Sequence, residues 1–199
     1  GYSTTASAQS STAMGRGTIA SGTNSTAMGY NTNAGGTGST AMGGGTSATG
    51  EYSTAMGNAS TASGTSSLAI GLSSTASDSH SIAIGRNTTS SGSHSVAMGF
   101  GTTASGNRST ATGAYTTSSD FGSTVIGQYN SSGSSVTNNA TSFNTANTAF
   151  VIGNGTDSSN KSDAFKVMFN GDATIGNDAT IGNDLTVSGD VVVSSDARL

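Results

Sequence analysis

The chain has 199 residues, of which 70 are Ser or Thr, 30 are Gly and only 8% are charged, with a net charge of −4 at pH 7. The absence of Cys excludes a disulfide framework and a thiolate zinc site, and the excess of acidic over basic residues argues against nucleic-acid binding. No apolar run approaches the length of about 18 residues that a transmembrane helix needs, so we expect no membrane insertion.

The dominant feature of the sequence is a short repeat with a period of 14. Gly recurs at this interval from Gly1 to Gly127, and each copy from Gly15 onward closes a phrase such as STAMG, SIAIG or STVIG. A unit this short has room for two strands and two turns but not for two helices. Stacked units of this kind form a parallel β-solenoid in which each coil contacts only its neighbours. At a strand spacing of ~4.8 Å, the coils predict a rod about 45 Å long.

The repeat also predicts which side chains face inward, when each unit is numbered from its Ser as position 1. Side chains alternate along a strand, so Ser and Ala at positions 1 and 3 share one face, and positions 2 and 4 share the other. An interior of Ser and Ala buries too little apolar surface to offset the ordering of each coil. We therefore expect the larger residues at position 4 to be buried against identical chains. These predicted contact residues are Met14, Met28, Met42, Met56, Ile70, Ile84, Met98 and Ile126.

The repeat resembles that of a known family. The phrase S-x-A-[M/I]-G followed by x-x-T-x-A-x-G is similar to the head repeat of trimeric autotransporter adhesins, and the similarity extends from Gly1 to about Val136. The resemblance implies an all-β fold, a left-handed parallel β-roll solenoid with three chains around a common axis. It also implies an extracellular homotrimer whose partner is a cell-surface glycan or protein receptor. Residues 1–136 are accordingly predicted to form the β-roll head.

The regular period ends after Val136. Residues 137–170 are predicted to contain a polar transition and a β-hairpin, since four of the six Phe lie between positions 143 and 169. From Gly171 a period of six begins, and it predicts an intertwined β neck of three chains over residues 171–195. The period is marked by Asp172, Asp178, Asp184 and Asp190.

The end of the sequence carries a second resemblance. The stretch from Asn183 to Leu199 is similar to the junction that precedes the intramolecular chaperone of endosialidase-type bacteriophage tail spikes and fibres. In that family the chaperone cuts itself off at a Ser–Asp bond, which Ser195–Asp196 matches. The resemblance implies that residues 196–199 begin a chaperone domain missing from this chain, and that a longer chain is cut after Ser195.

Few residues offer chemistry beyond this junction. The acidic residues of the repeats, Glu51, Asp78 and Asp120, are isolated in sequence, so glycoside hydrolysis has no carboxylate pair. We predict no enzymatic activity and no cofactor. A column formed by His80, His94 and Arg108 at position 14 lacks the third ligand that zinc requires, and we predict no metal site.

Position 6 carries large side chains on a rigid surface, which are predicted to be receptor-binding anchors. They are Tyr2, Arg16, Tyr30, Arg86 and Phe100. The preferred interpretation is an extracellular trimeric fibre for surface attachment, most simply a phage or phage-like tail fibre. The alternative is the head domain of a bacterial trimeric surface adhesin.

A further alternative is an ice-binding solenoid, because flat arrays of Thr suit ordered water. The array consists of Thr61, Thr75, Thr89, Thr103 and Thr117 at position 9, beside Ser60, Ser74, Thr88, Thr102 and Thr116 at position 8.

Overall fold

The computed structural model describes residues 1–180, and within this range the chain consists of strands and turns without a helix. The described part thus has no helix with which to cross a bilayer. The strands form one sheet of nine strands and one of twelve. The nine-stranded sheet contains β1 (Thr5–Ala6), β3 (Ile19–Ala20), β5 (Asn33–Ala34), β7 (Ser47–Ala48), β9 (Thr61–Ala62), β11 (Thr75–Ala76), β13 (Thr89–Ser90), β15 (Thr103–Ala104) and β17 (Thr117–Ser118). The twelve-stranded sheet contains β2 (Thr12–Arg16), β4 (Thr26–Tyr30), β6 (Thr40–Gly44), β8 (Thr54–Asn58), β10 (Leu68–Leu72), β12 (Ile82–Arg86), β14 (Val96–Phe100), β16 (Thr110–Ala114), β18 (Thr124–Gln128), β19 (Thr148–Asn154), β20 (Asp163–Met168) and β21 (Ala173–Ile175).

From β1 to β18 the chain is a regular parallel β-solenoid, as the repeat predicts. Each strand pairs in parallel with the equivalent strand of the next coil, so Ala69 in β10 pairs with Ala55 on one side and Ala83 on the other. One coil contains a five-residue strand, a corner, a two-residue strand and a second corner. The roll therefore has two sheet faces and two opposite edges.

The interior of the roll is made of small side chains. Ala at positions 3 and 10 is fully buried from Ala20 to Ala111. Ser at position 1 is also buried from Ser25 onward, and in several coils its hydroxyl closes the preceding corner, as Ser95 Oγ does by donating to the Gly92 carbonyl at 2.6 Å. Positions 2 and 4 lie on the outer face and are mostly half-buried, as in β12. The predicted inward and outward assignment of these four positions is confirmed.

Position 8 faces the interior as well, and this corrects the predicted Thr array. Thr88 and Thr102 are fully buried, whereas Thr89 and Thr103 at position 9 are half-buried on the outer face. Adjacent residues of a strand point to opposite sides, so positions 8 and 9 cannot share a surface. Of these two columns only the one at position 9 faces outward, and the two-column array on which the ice-binding interpretation depended is absent from the described coils.

Both corners of each coil require a left-handed backbone conformation. Positions 7 and 14 have φ between 42° and 69° throughout, and most of these residues are not Gly, for example Tyr115 (53°) and Arg108 (58°). A side chain in this region costs of order 1–2 kcal/mol. The phrase-closing Gly at position 5 lies within a strand and not in a corner. Its φ is also positive, and a Cβ there would overlap the backbone of the next coil, as at Gly85 against Gly99.

The roll continues past the end of the sequence repeat. Strand β19 pairs in parallel with β18, so that Val151 aligns with Val125 and Gly153 with Gly127. Paired residues of β18 and β19 are separated in sequence by almost two periods instead of one. The extra residues lie in the segment 129–147 between the two strands, which we call the insertion. Strand β20 then pairs antiparallel with β19, and β21 pairs antiparallel with β20. The hairpin thus ends the sheet of the roll instead of forming a separate core. Residues 181–199, with most of the predicted neck and Ser195–Asp196, lie outside the described residues.

The coil that begins with β18 and contains the insertion lacks the short second strand of the other coils. Buried side chains make the hydrogen bonds that this strand would make. In the preceding coil, Thr103 N–H donates to the backbone carbonyl of Thr116 at 2.8 Å. Its equivalent, Thr117 N–H, donates instead to the side-chain Oδ1 of Asn130 at 2.8 Å. The fully buried Asp120 accepts from Thr137 N–H at 2.6 Å and from Thr148 N–H at 2.8 Å. One carboxylate therefore fixes both the insertion and the start of β19.

Replacing Asp120 with Asn is expected to lower the free energy of unfolding of this coil by about 2–3 kcal/mol. The substitution removes a charge-assisted hydrogen bond and directs an amide N–H₂ at a backbone N–H, and bonds to charged groups contribute about 1.5–3 kcal/mol. Hydrogen exchange of the β18 and β19 amides measures the effect. Asp78 is the matched control, since it occupies the same repeat position but is exposed, and its carboxylate accepts from Ser79 N–H next to it in sequence. Equal protection in the Asp120→Asn and Asp78→Asn variants would contradict this role.

Candidate functional site

The first corner of the coils, at positions 6 and 7, forms an edge that we call the aromatic edge. It begins with Arg16, whose guanidinium carbon lies 5.6 Å from the Tyr2 ring centroid and 5.5 Å from that of Tyr30. The three side chains share a column because Arg16 pairs in register with Tyr2 and Tyr30. All three are exposed. A cation held between two aromatic faces forms a flat, rigid surface.

A second cluster lies further along the same edge. The Arg86 guanidinium carbon is 5.1 Å from the Phe100 ring centroid, and Phe100 packs edge-on against Tyr115 at 4.7 Å. Tyr115 stacks on Tyr129, also at 4.7 Å with an interplanar angle of 13°. Gly44, Asn58 and Leu72 separate this cluster from the first at position 6.

The structure places all five predicted binding residues on this edge and adds Tyr115 and Tyr129. The added residues were missed because they occupy position 7, where the side chain leaves a left-handed corner instead of a strand. Their separation by one full period was the signal that could have identified them. Partial desolvation, followed by the neighbouring Tyr115 and Asp157, raises the pKa of the Tyr129 hydroxyl above its ordinary value. The hydroxyl therefore remains a neutral hydrogen-bond donor.

The opposite corner, at position 14, forms a second edge that we call the histidine edge. The rings of His80 and His94 stack with their centroids 4.7 Å apart. Arg108 follows in the same column, and its guanidinium carbon lies 5.4 Å from the Phe121 ring centroid. Among residues 1–180 no group of three or more His, Cys, Asp or Glu side chains is arranged to hold a metal ion.

The insertion folds back onto the histidine edge. Its backbone is attached to the roll by Asn107 N–H, which donates to the Ala140 carbonyl at 2.8 Å, and by Phe121 N–H, which donates to the Asn139 carbonyl at 3.0 Å. Within the insertion, the buried Asn147 amide bonds both polar groups of the Asn139 backbone and so fixes the shape of the loop. Together the loop and the roll border a cavity of about 340 Å³ that is open to solvent. The sequence did not predict this cavity, because it depends on where the insertion folds.

A third candidate surface is the outer face of the twelve-stranded sheet. The eight predicted trimer-contact residues, from Met14 to Ile126, form a column interrupted by Thr112. Met14 is 55% exposed, Met98 and Ile126 are each 37% exposed, and the other five are half-buried in the single chain. An apolar column of this length on a solenoid face is typical of a surface that another chain covers.

Comparison with known families identifies the coils. A family model described as the YadA head domain repeat (2 copies) matches residues 1–18, 6–32, 20–46, 34–60, 48–72, 62–88 and 90–116. Most successive matches are offset by about one coil, and together they cover more than half of the chain. No curated protein sequence matches the chain.

Proposed function

Because this chain belongs to the family of YadA head domain repeats, we propose that it is the head of a homotrimeric adhesin displayed on a bacterial cell surface. The family match across successive coils carries the proposal, and heads of this type are trimeric and surface-exposed. The apolar column on the twelve-stranded sheet supports it, since three such columns around an axis would bury one another. The column continues from Ile126 to Ile152 in β19, so the same contact serves the whole length of the roll.

The adhesin head takes precedence over the tail-fibre interpretation. The family match lies entirely in the coils, while the tail-fibre interpretation depends on the sequence from Asn183 to Leu199, outside the described residues. The sequence that follows Leu199 in the gene distinguishes the two. A heptad-containing stalk supports the adhesin, whereas a chaperone domain cut after Ser195 supports the fibre.

We propose the aromatic edge as the attachment surface. This edge presents aromatic faces and stacked cations, namely Arg16 with its two Tyr neighbours and Arg86 with Phe100. Because these side chains already hold one another in place, little conformational entropy is lost when a receptor binds. Rigid aromatic and Arg side chains are enriched among the anchors of protein interfaces. The edge is open and flat, which suits a receptor protein or an extended glycan. No catalytic role is part of the proposal, because the carboxylates of Glu51, Asp78 and Asp120 lie in separate coils.

Beads coated with the purified trimer are expected to remain on cultured epithelial cell layers more often than beads coated with albumin. The double variant Tyr30→Ser/Phe100→Ser should reduce retention at least about five-fold, because it removes one aromatic anchor from each cluster. The matched control Thr61→Ser/Thr89→Ser alters the half-buried outer face of the nine-stranded sheet and should retain normal attachment.

Trypsin and periodate treatment of the cell layer then identify the receptor as protein or glycan. Retention no better than that of albumin would contradict the adhesin. Normal retention of the Tyr30→Ser/Phe100→Ser beads would contradict the assignment of the aromatic edge alone.

A further inference from the structure

The cavity at the histidine edge has the size and walls of a small-molecule site. It is bounded by the roll on one side and by the insertion on the other, and its volume is about 340 Å³. Ligand pockets range from about 300 to 1,000 Å³, so this cavity suits a single sugar ring. Its lining contains one Arg and one His but no Asp or Glu. The ligand that balances this charge is an anion.

The cation of the cavity is held in a fixed position. Arg108 sits at a left-handed corner with φ of 58°, and its backbone N–H donates to the Ser93 carbonyl at 2.8 Å. The side chain lies over the Phe121 ring, with the guanidinium carbon 5.4 Å from the centroid. A stacked guanidinium keeps its in-plane N–H groups available, and these match the two oxygens of a carboxylate.

Aromatic rings form the apolar part of the lining. Phe121 lies beneath the Arg108 guanidinium, and Phe143 of the insertion supplies a second ring. Phe143 is 60% exposed, yet its position is fixed by an edge-on contact with Phe169, with the ring centroids 5.1 Å apart. An exposed aromatic ring that is held in place offers its face to the C–H groups of a sugar, which are the apolar part of a carbohydrate.

The remaining lining groups are neutral and polar. Asn107 Oδ1 accepts from Ser93 N–H at 3.0 Å, which orients the amide and leaves its N–H₂ as a donor. The Ser93 hydroxyl and His94 Nδ1 are 2.9 Å apart, so Nε2 is the imidazole nitrogen available to a ligand. Such groups suit the hydroxyls of a sugar.

From these features we infer that the cavity binds a carboxylate-bearing sugar residue, with the carboxylate on Arg108 and the ring against Phe121 and Phe143. The inference does not rest on the aromatic edge, which lies on the opposite side of the roll, or on attachment to cells. Hexuronates and sialic acids share the required chemistry, and the experiment distinguishes them.

The test titrates the purified trimer with three soluble probes, followed by calorimetry and saturation-transfer NMR. The probes are a hyaluronan tetrasaccharide containing glucuronate, N-acetylneuraminic acid, and neutral N-acetyllactosamine. We expect one acidic probe to bind with a Kd below about 1 mM, a free energy of about −4 kcal/mol, and the neutral probe not to bind. No binding of either acidic probe, or equal binding of the neutral probe, overturns the inference.

Two variants locate the binding. Arg108→Gln should weaken the acidic probe about ten- to a hundred-fold, the range expected when a charge-assisted hydrogen bond is lost. Arg86→Gln is the matched control, since Arg86 is also stacked on a Phe but lies on the aromatic edge, and it should bind normally. Phe143→Ala should weaken binding of the acidic probe as well and so reduce the saturation transfer to the sugar ring protons. Unchanged affinity in Arg108→Gln, or an equal loss in Arg86→Gln, places binding elsewhere and overturns the site.

Discussion

Replacing Gly85 with Ala is expected to unfold the central coils, with a loss of more than about 4 kcal/mol, because the variant combines steric overlap with backbone strain. Gly85 has φ of +135°, and a Cβ at this position would overlap the backbone carbonyl of Gly99 in the next coil. The obstacle is a hydrogen-bonded strand on which every later coil is stacked, so the backbone cannot move aside locally. Thermal and urea unfolding followed by circular dichroism measures the change.

Gly35→Ala provides the matched control. Its backbone is not left-handed, and the nearest atom to a Cβ would be Thr49 Cγ2 at 3.6 Å, an ordinary contact. We expect the unfolding midpoint of this variant to remain at or slightly above that of the parent chain, since Ala restricts the unfolded state. Similar losses of stability in the two variants would show that the close stacking of Gly on Gly is not the reason that Gly85→Ala unfolds the coils.

Replacing Ile84 with Asp is expected to abolish the homotrimer. The parent chain should sediment at three times the mass of the 19.2 kDa chain, because the apolar column on the twelve-stranded sheet needs a partner. Three unpaired carboxylates at that contact would cost more than the association provides. Analytical ultracentrifugation of the variant should show monomer or aggregate.

Thr61→Asp tests the face assignment in the same experiment. Thr61 is half-buried like Ile84 but belongs to the nine-stranded sheet, and its side chain leaves the opposite face of the roll. This variant should remain trimeric. Loss of the trimer in Thr61→Asp, with a trimer retained in Ile84→Asp, would place the contact on the nine-stranded sheet instead. A folded monomeric parent chain would show that neither face forms a trimer contact.

The regular part of the fold could be predicted from sequence because one repeated phrase sets the strands, their register and their buried face. Ala83 and Ile84 illustrate this, since their alternation alone separates the interior from the outer column. The enlarged last coil could not be predicted, because the insertion before β19 interrupts the period. The repeated Val-Ile-Gly at 125–127 and 151–153 was the remaining signal.

Of the two candidate sites, the aromatic edge could be predicted from the sequence and the cavity at the histidine edge could not. The column of Arg16 and Tyr30 follows from equal positions in neighbouring coils, so the period predicts it. The cavity beside Arg108 depends on Phe143, which reaches the roll only because the insertion folds back on it. No local pattern encodes this fold of the insertion, since it depends on the buried Asp120 carboxylate, which accepts from Thr137 N–H and Thr148 N–H far along the chain.

The interior of Ala methyl groups has a consequence for how the protein responds to temperature. Exposure of apolar surface raises the heat capacity on unfolding, whereas exposure of polar surface lowers it. Each coil buries two small side chains, mostly Ala, together with hydroxyls and a large amount of hydrogen-bonded backbone. The interior therefore contributes less than the usual value of about 12–15 cal/mol/K per residue. The resulting curve of free energy against temperature is less strongly bent, so the roll loses less stability on cooling than a protein with an ordinary apolar core.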